Sequence, residues 1–329
     1  MPDQLLFATE VMLNGLMAGV MYSLVALGFV LIFKASGIFN YAQGVMALFA
    51  AMTLVGIQSG QVPFAHLINA VFGTHLHRFG WEVPALLAIL LTVFVMIAFA
   101  WAVNRFVFAK LVNQEPIILF MATIGLAFFL EGVADLMWGS EIKTLDVGIP
   151  QGINEWIDGT TFDAFGYGFF IDNLDITATV IAAVLVAALV AFSQYTKQGR
   201  ALRAVADDHQ AALSVGISLN FIWVLVWSIA GFVALVAGIM WGAKSGVQFS
   251  LSLIALKALP VLMLGGFTSI PGAIVGGLII GVGEKLFEFA IGAPYLGGAT
   301  ENWFAYVLAL VFLVFRPQGL FGEKIIERV

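Results

Sequence analysis

Long apolar runs separated by short polar connections take up most of the 329-residue chain, and they restrict the environment in which it can fold. A bilayer core about 30 Å thick takes roughly 20 apolar residues per helical crossing. By that measure candidate spans fall near 6–33, 38–57, 83–107, 117–138, 176–192, 221–241, 251–264, 273–291 and 303–315. Only 10% of the residues are charged, 61% are hydrophobic and the mean hydropathy is +1.03. Soluble domains carry about 25% charged residues, and a soluble chain of this length could not hide so much apolar surface. The 35 Gly and 8 Trp also suit a helical bundle in lipid, where Gly permits close helix contact and Trp marks interfaces. The predicted fold class is all-α: a polytopic membrane bundle of about eight or nine transmembrane segments, read as a single transmembrane domain over 1–329.

Orientation follows from the basic residues of the connections. Lys34, Arg105, Lys110, Lys197, Arg200, Arg203, Arg316, Lys324 and Arg328 fall on one side of an alternating thread, the side that the positive-inside rule makes cytoplasmic. The opposite side holds 139–175, where seven acidic residues stand against Lys143 alone. Both observations put the N-terminus outside and the C-terminus inside; Arg78 and Lys244 are isolated exceptions. The opening residues MPDQ lack a basic n-region, so the first run is expected to persist as a span.

Two segments are too short for a plain crossing. The run 251–264 would cover about 21 Å as a helix and ends in GGFTSIPG (265–272), whose Gly and Pro break helices. Near the start, SGIFNYAQG (36–44) sets Asn40 and Gln43 between glycines before a second short run. Irregular backbone at membrane depth survives only inside protein or beside a water-filled cavity. Broken segments in corresponding halves point to a transport site. Each stretch is therefore either a re-entrant element of that kind or a turn outside the membrane.

Charges inside the runs narrow this further. Lys257 lies in the seventh span and Glu284 in the eighth, flanking the Gly-rich turn, and they form the natural intramembrane ion pair. The pair either stabilises the bundle or serves gating or substrate. Glu131 and Asp135 approach the outer end of their helix, where water is near. Zero Cys excludes disulfides, thiolate metal sites and cysteine nucleophiles. His75 and His77, with His66 nearby, belong to an interfacial amphipathic stretch rather than a metal site, so no metal is expected. No G-x-x-x-x-G-K-[ST], H-E-x-x-H or G-x-S-x-G motif occurs, so the chain is not expected to be an enzyme or to split ATP itself. Nothing points to nucleic acid.

The polar insert 195–219 is the one connection with both basic charge and a helical pattern. Leu202, Val205, Ala206, His209, Ala212 and Leu213 form a narrow apolar stripe, flanked by Arg200, Arg203, Asp207 and Asp208 and bracketed by Gly199 and Gly216. Such a stripe is buried in a groove on a soluble partner, on its own bundle, or on the anionic inner leaflet.

The run GRALRAVADDHQAALSVGI (199–217) resembles the cytoplasmic coupling segment of the permease subunits of branched-chain amino-acid ABC transporters, the LivH-type family. GIFNYAQG (37–44) is similar to that family's second-span motif, GGFTSIPGAIVGG (265–277) to its Gly-rich segment, and FRPQGLFG (315–322) to its C-terminal signature. One departure bears on the cargo. Many members read Asn-Phe-Ala-His-Gly-Glu in the second span, where this chain has Tyr41, Gln43 and Val45 in place of Phe, His and Glu.

The resemblance implies a permease subunit of an ATP-driven importer in the inner membrane of a bacterial-type cell, for branched-chain or related small amino acids or amides. It implies a second homologous permease, two cytoplasmic ATPase subunits that bind ATP and Mg, a periplasmic substrate-binding protein, and no cofactor on this chain. Segment 199–217 would receive the ATPase, while Phe39, Asn40, Tyr41 and Gln43 would line the path. The rival class is a stand-alone ion-coupled secondary transporter or channel, which would use Glu131, Asp135, Lys257 and Glu284 for coupling.

Overall fold

The computed structural model describes residues 2–75, 77–111, 114–154 and 171–322. Helix follows helix: α1 Pro2–Ser36, α2 Gln43–Gln58, α3 Ala65–Phe72, α4 Ala85–Phe106, α5 Pro116–Trp138, α6 Asn173–Tyr195, α7 Lys197–Asp207, α8 His209–Ser214, α9 Leu219–Ser245, α10 Ile254–Gly265, α11 Ile270–Phe287, α12 Ala293–Leu296 and α13 Glu301–Phe315. Strand-like pairing among the described residues is confined to isolated bridges such as Lys143 with Val247. The fold is all-α.

Two compact units divide the chain. The first comprises Leu31–Gly148 and Ala191–Ala255. Its centre is α2, which packs against α4, α5 and α9 and buries every residue from Gln43 to Gly56. A helix that is apolar all round needs neighbours on every side. Gly238 lets α9 close on α2, because a Cβ there would lie 2.5 Å from the Ala47 carbonyl oxygen. Trp138 closes the far end of α2, its indole N–H donating to Thr53 Oγ1 at 3.3 Å. By contrast, Leu86, Leu90, Phe94, Ile97 and Trp101 of α4 recur every three or four residues and are exposed. In a membrane chain such a stripe is open to lipid or to a partner subunit.

The second unit comprises Met1–Val30, Ile149–Val190 and Leu256–Val329. Here α1 crosses α11 on small residues: a Cβ on Gly15 would lie 2.8 Å from the Gly281 carbonyl oxygen. Ser23 Oγ donates to the Ile274 carbonyl at 3.2 Å across the same contact. Such crossings stabilise membrane bundles through close backbone approach. α11 packs on α13, with Phe287 stacked on Phe304 at 4.3 Å.

The Gly-rich turn lies between α10 and α11. The helical stretches Phe249–Gly265 and Ile270–Leu296 are bent by 113° at this break. Gly266 takes φ +102°, open to glycine, and Ser269 Oγ accepts the Gly272 N–H at 3.0 Å to start α11. The last carbonyls of α10 would lack partners. They are met by the C-terminal signature: Leu320 N–H donates to the Leu264 carbonyl at 2.8 Å and Phe321 N–H to Gly265 at 3.1 Å. Inside α10, Pro260 has no N–H to offer the Leu256 carbonyl. The Tyr306 hydroxyl of α13 donates to that carbonyl instead, at 2.6 Å.

Five helices among the described residues are long and apolar enough to cross a membrane, and six if the bent pair counts as one span. The nine segments expected from composition differ from this because α2 and α13, 16 and 15 residues long, are short apolar helices, and because 251–264 and 273–291 fall in the two arms of the bent pair. At 1.5 Å per residue each covers about 22–24 Å.

The glycine crossing gives a paired test. Gly281→Ala places a methyl group against the backbone of Gly15 and Gly19 and is expected to cost about 1–3 kcal/mol. Gly132→Ala, on α5 with nothing within 4 Å of the added carbon, is expected to be neutral or stabilising. Thermal unfolding in detergent checks both; equal melting temperatures for the two variants would contradict the packing.

Candidate functional site

The insert after α6 folds as an elbow of two helices rather than one. Asp208 takes extended backbone, φ −156°, and its carboxylate accepts the N–H groups of Gln210 at 2.7 Å and Ala211 at 3.1 Å, starting α8. Thr196 caps α7 by accepting the Gly199 N–H at 2.9 Å, and donates to the Phe192 carbonyl at 2.6 Å. Gly199 is required here, since a Cβ would strike the carbonyl oxygens of Phe192 and Ser193. Arg203 and Arg200 reach back to the end of α6, donating to the carbonyls of Ser193 at 2.5 Å and Tyr195 at 3.4 Å. Cations suit a helix C-terminus, so part of the basic charge is spent on rigid attachment.

Both short helices pack against α9. Leu202, Val205 and Ala212 are buried within the chain, whereas Leu213 is 52% and Val215 74% exposed. Asp207 and Arg200 are exposed, and Gly216 closes the elbow with φ +85°. His209 begins α8; its side chain lies outside the described residues.

At the other end of α9, beyond its C-terminus, a cleft of about 560 Å³ is lined by Gln61, Leu67, Arg78, Asp135, Glu141 and Lys143 among others. Lys143 Nζ donates to Gln61 Oε1 and to the Trp138 carbonyl, both at 2.6 Å, capping α5. Burial pushes the Lys143 ammonium below its ordinary value, and Arg78 adds to this against the opposing pull of Glu141. His77 also lines this cleft. Among the described residues no three His, Cys, Asp or Glu side chains are grouped to hold a metal. His66's side chain and residues 155–170 of the acidic loop lie outside the described residues.

The break between α1 and α2 is a polar knot inside the bundle. Asn40 and Gln43 are 0% and 1% exposed. Asn40 Nδ2 donates to Gln43 Oε1 at 3.1 Å, its Oδ1 accepts the Ala42 N–H at 3.1 Å, and Gln43 Nε2 donates to the Ala230 carbonyl at 3.3 Å. Thr123 of α5 joins the knot, accepting the Tyr41 N–H and donating to the Phe39 carbonyl, both at 3.1 Å. Both amides are thus engaged within the chain, while Tyr41 is 40% exposed and packs edge-on against Phe120 at 6.4 Å. Phe39 is half-buried and lies 5.9 Å from the same ring.

Lys257 and Glu284 come together through a residue the sequence reading did not include. Tyr22 of α1 donates to Glu284 Oε1 at 2.5 Å and accepts from Lys257 Nζ at 3.2 Å, leaving the two charges 4.0 Å apart. Lys257 also lies 5.4 Å from the centre of the Tyr22 ring. Glu284 is fully buried and its Oε2 has no hydrogen-bond partner among the described residues. Glu288, one turn on, accepts the N–H groups of Ala299 at 2.9 Å and Thr300 at 2.7 Å, fixing the approach to α13. Tyr22 and Thr123 carry little sequence signal, since each is a lone polar group in an apolar run. The position of Tyr22 near the middle of a span, as for Lys257, is the trace that could have linked them.

The family described as "Branched-chain amino acid transport system / permease component" matches residues 11–316. Over the full length of both chains the protein is 27% identical to the high-affinity branched-chain amino acid transport system permease protein LivH of Escherichia coli strain K12. It is 28% identical to the corresponding permease BraD of Pseudomonas aeruginosa, over 97% of each chain. A probable branched-chain amino acid transport permease of Methanocaldococcus jannaschii is 25% identical over 91% of this chain and 88% of its own.

The polar knot makes a clear distinction. Asn40→Leu strands Gln43 and the Ala42 N–H inside the bundle and is expected to cost about 1–3 kcal/mol or more. Tyr41→Ala, at an exposed ring, is expected to cost less. Melting of the two variants in detergent checks the order, and an Asn40→Leu protein as stable as Tyr41→Ala would contradict it.

Proposed function

The chain belongs to the family of permease components of branched-chain amino acid transport systems, and from that membership we propose that it is one permease subunit of an ATP-driven ABC importer. Its cargo is a branched-chain or closely related small amino acid. The full machine contains a second, homologous permease, two cytoplasmic ATPase subunits and a periplasmic binding protein. ATP and Mg bind on the ATPase subunits. The membrane is the bacterial-type inner membrane, with the α7–α8 elbow and C-terminus in the cytoplasm and the N-terminus and the Lys143 cleft outside.

The observation that carries this reading is the elbow itself. It is fastened to the end of α6 and to α9, yet it turns Leu213 and Val215 outward. A rigid lever with an apolar tip is what a separate motor needs in order to move α6 and α9. The chain has no phosphate-binding loop of its own. In this reading Gly199, Arg200, Leu202, Arg203, Val205 and Ala212 build the lever, and Leu213 with Val215 forms its contact with the ATPase. The path role narrows in the same way: Phe39 and Tyr41 remain candidates for its wall, while Asn40 and Gln43 hold the break in place. Tyr41, Gln43 and Val45 set this chain apart from the common second-span motif, so the cargo is best read from the partner binding protein.

Leu213→Asp combined with Val215→Asp is expected to reduce co-purification of the ATPase subunits about tenfold or more, with the melting temperature of the permease kept. Leu202→Asp, at a buried position, is expected to lower that temperature instead. Undiminished ATPase retention by the double variant would sink the docking role. Uptake by the isolated chain in vesicles, driven by an ion gradient without ATPase or binding protein, would establish the secondary transporter in its place.

A further inference from the structure

Three polar residues meet near the centres of three helical stretches, two of them the arms of the bent pair. Lys257 is the central residue of Phe249–Gly265, and Glu284 and Tyr22 fall within one residue of the centres of Ile270–Leu296 and Phe7–Ser36. Tyr22 and Glu284 are buried, but the Lys257 side chain is 29% exposed. An ammonium has three N–H donors. One goes to the Tyr22 hydroxyl at 3.2 Å, and Glu284 Oε1, at 4.0 Å, is beyond hydrogen-bonding range. Two donors therefore have no acceptor among the described residues. A cation at bilayer depth costs at least about 2.5–3.5 kcal/mol against hydrocarbon, so the open flank of α10 at Lys257 borders water or a polar ligand rather than lipid. The helix that carries it is one arm of a broken pair, and transporter binding sites form at mid-membrane beside discontinuous helices.

Resting on the importer reading above, we propose that Lys257 is the group that the carboxylate of the amino-acid cargo meets halfway across the membrane, with Tyr22 and Glu284 as its positioning residues. Glu284 takes the Tyr22 proton into a hydrogen bond, which turns the phenolic oxygen lone pairs toward Lys257 and fixes the ammonium. The nearby carboxylate keeps the empty site close to neutral. A zwitterionic cargo adds no net charge when it arrives, so its carboxylate can occupy the two open donors without leaving an uncompensated charge in the membrane.

The test uses the complete complex in proteoliposomes, with radiolabelled leucine and its binding protein. Lys257→Gln is expected to lower the leucine moved per ATP hydrolysed about tenfold or more. Lys257→Arg is expected to recover part of the uptake, and Tyr22→Phe to lower the leucine moved per ATP hydrolysed without loss of subunits. Uptake by Lys257→Gln equal to wild type, or loss of the partner permease from that variant, would overturn the proposal. Lys257→Cys supplies a second measurement, because the chain has no cysteine of its own. A charged, membrane-impermeant methanethiosulfonate is expected to modify it, more slowly when leucine-loaded binding protein and ATP are present. Modification only by a membrane-permeant maleimide, or at a rate indifferent to leucine, overturns the assignment. Failure of the importer reading is seen separately, as a wild-type complex that does not couple uptake to ATP.

Discussion

Lipid offers no hydrogen bonds, and this protein breaks its helices repeatedly at positions that composition places in lipid. Each break is supported by partners from elsewhere in the chain. Pro260 removes one helical bond from α10, and Tyr306 supplies the proton that the Leu256 carbonyl would otherwise lack. The last carbonyls of α10 are met by the backbone of Leu320 and Phe321, about 55 residues along the chain. Between α1 and α2 the N–H groups of Ile38, Tyr41 and Ala42 find Ser36, Thr123 and Asn40 side chains. The discontinuities are therefore built joints, with fixed partners on both sides.

The same joints fix which elements are held together. The GGFTSIPG turn and the FRPQGLFG tail are separate motifs in the sequence and one structure in the fold, bonded through Leu264 and Gly265. The α7–α8 elbow is joined to α6 by Thr196 and Arg203 and lies against α9. Its tip is therefore held to both helices by direct contacts rather than by a slack loop. Polar side chains in the bundle fall into two kinds. Asn40, Gln43 and Thr123 spend their hydrogen bonds on the fold, while Lys257 has two donors without an acceptor among the described residues.

Much of the architecture was legible because lipid makes composition speak plainly: apolar runs of 20 residues became α4, α5, α6 and α9 with ends shifted by a few positions. The two irregular stretches were legible from Gly and Pro. What periodicity could not tell was which surface would cover an apolar stripe. Leu202, Val205 and Ala212 are apolar for the sake of their own bundle, while Leu213 points away from it. The elbow itself had a readable sign, since Asp208 within a helical pattern is a good N-cap. Asn40 and Gln43 read as path-lining amides because their type suits a zwitterion; that they bond to each other, and Gln43 to the distant Ala230 carbonyl, appears only in the fold. Tyr22, Thr123 and Tyr306 were illegible for the same reason. A single hydroxyl in an apolar run is unremarkable until the group it serves is known.

The idea that the breaks are fixed joints rather than loose loops is tested most directly by amide hydrogen exchange in lipid nanodiscs. Protection at Tyr41, Ala42, Leu320 and Phe321 comparable to that in the neighbouring turns of α2 and α10 is the result this account requires. Exchange at those amides as fast as in an unstructured peptide, with α2 and α10 still protected, would contradict it.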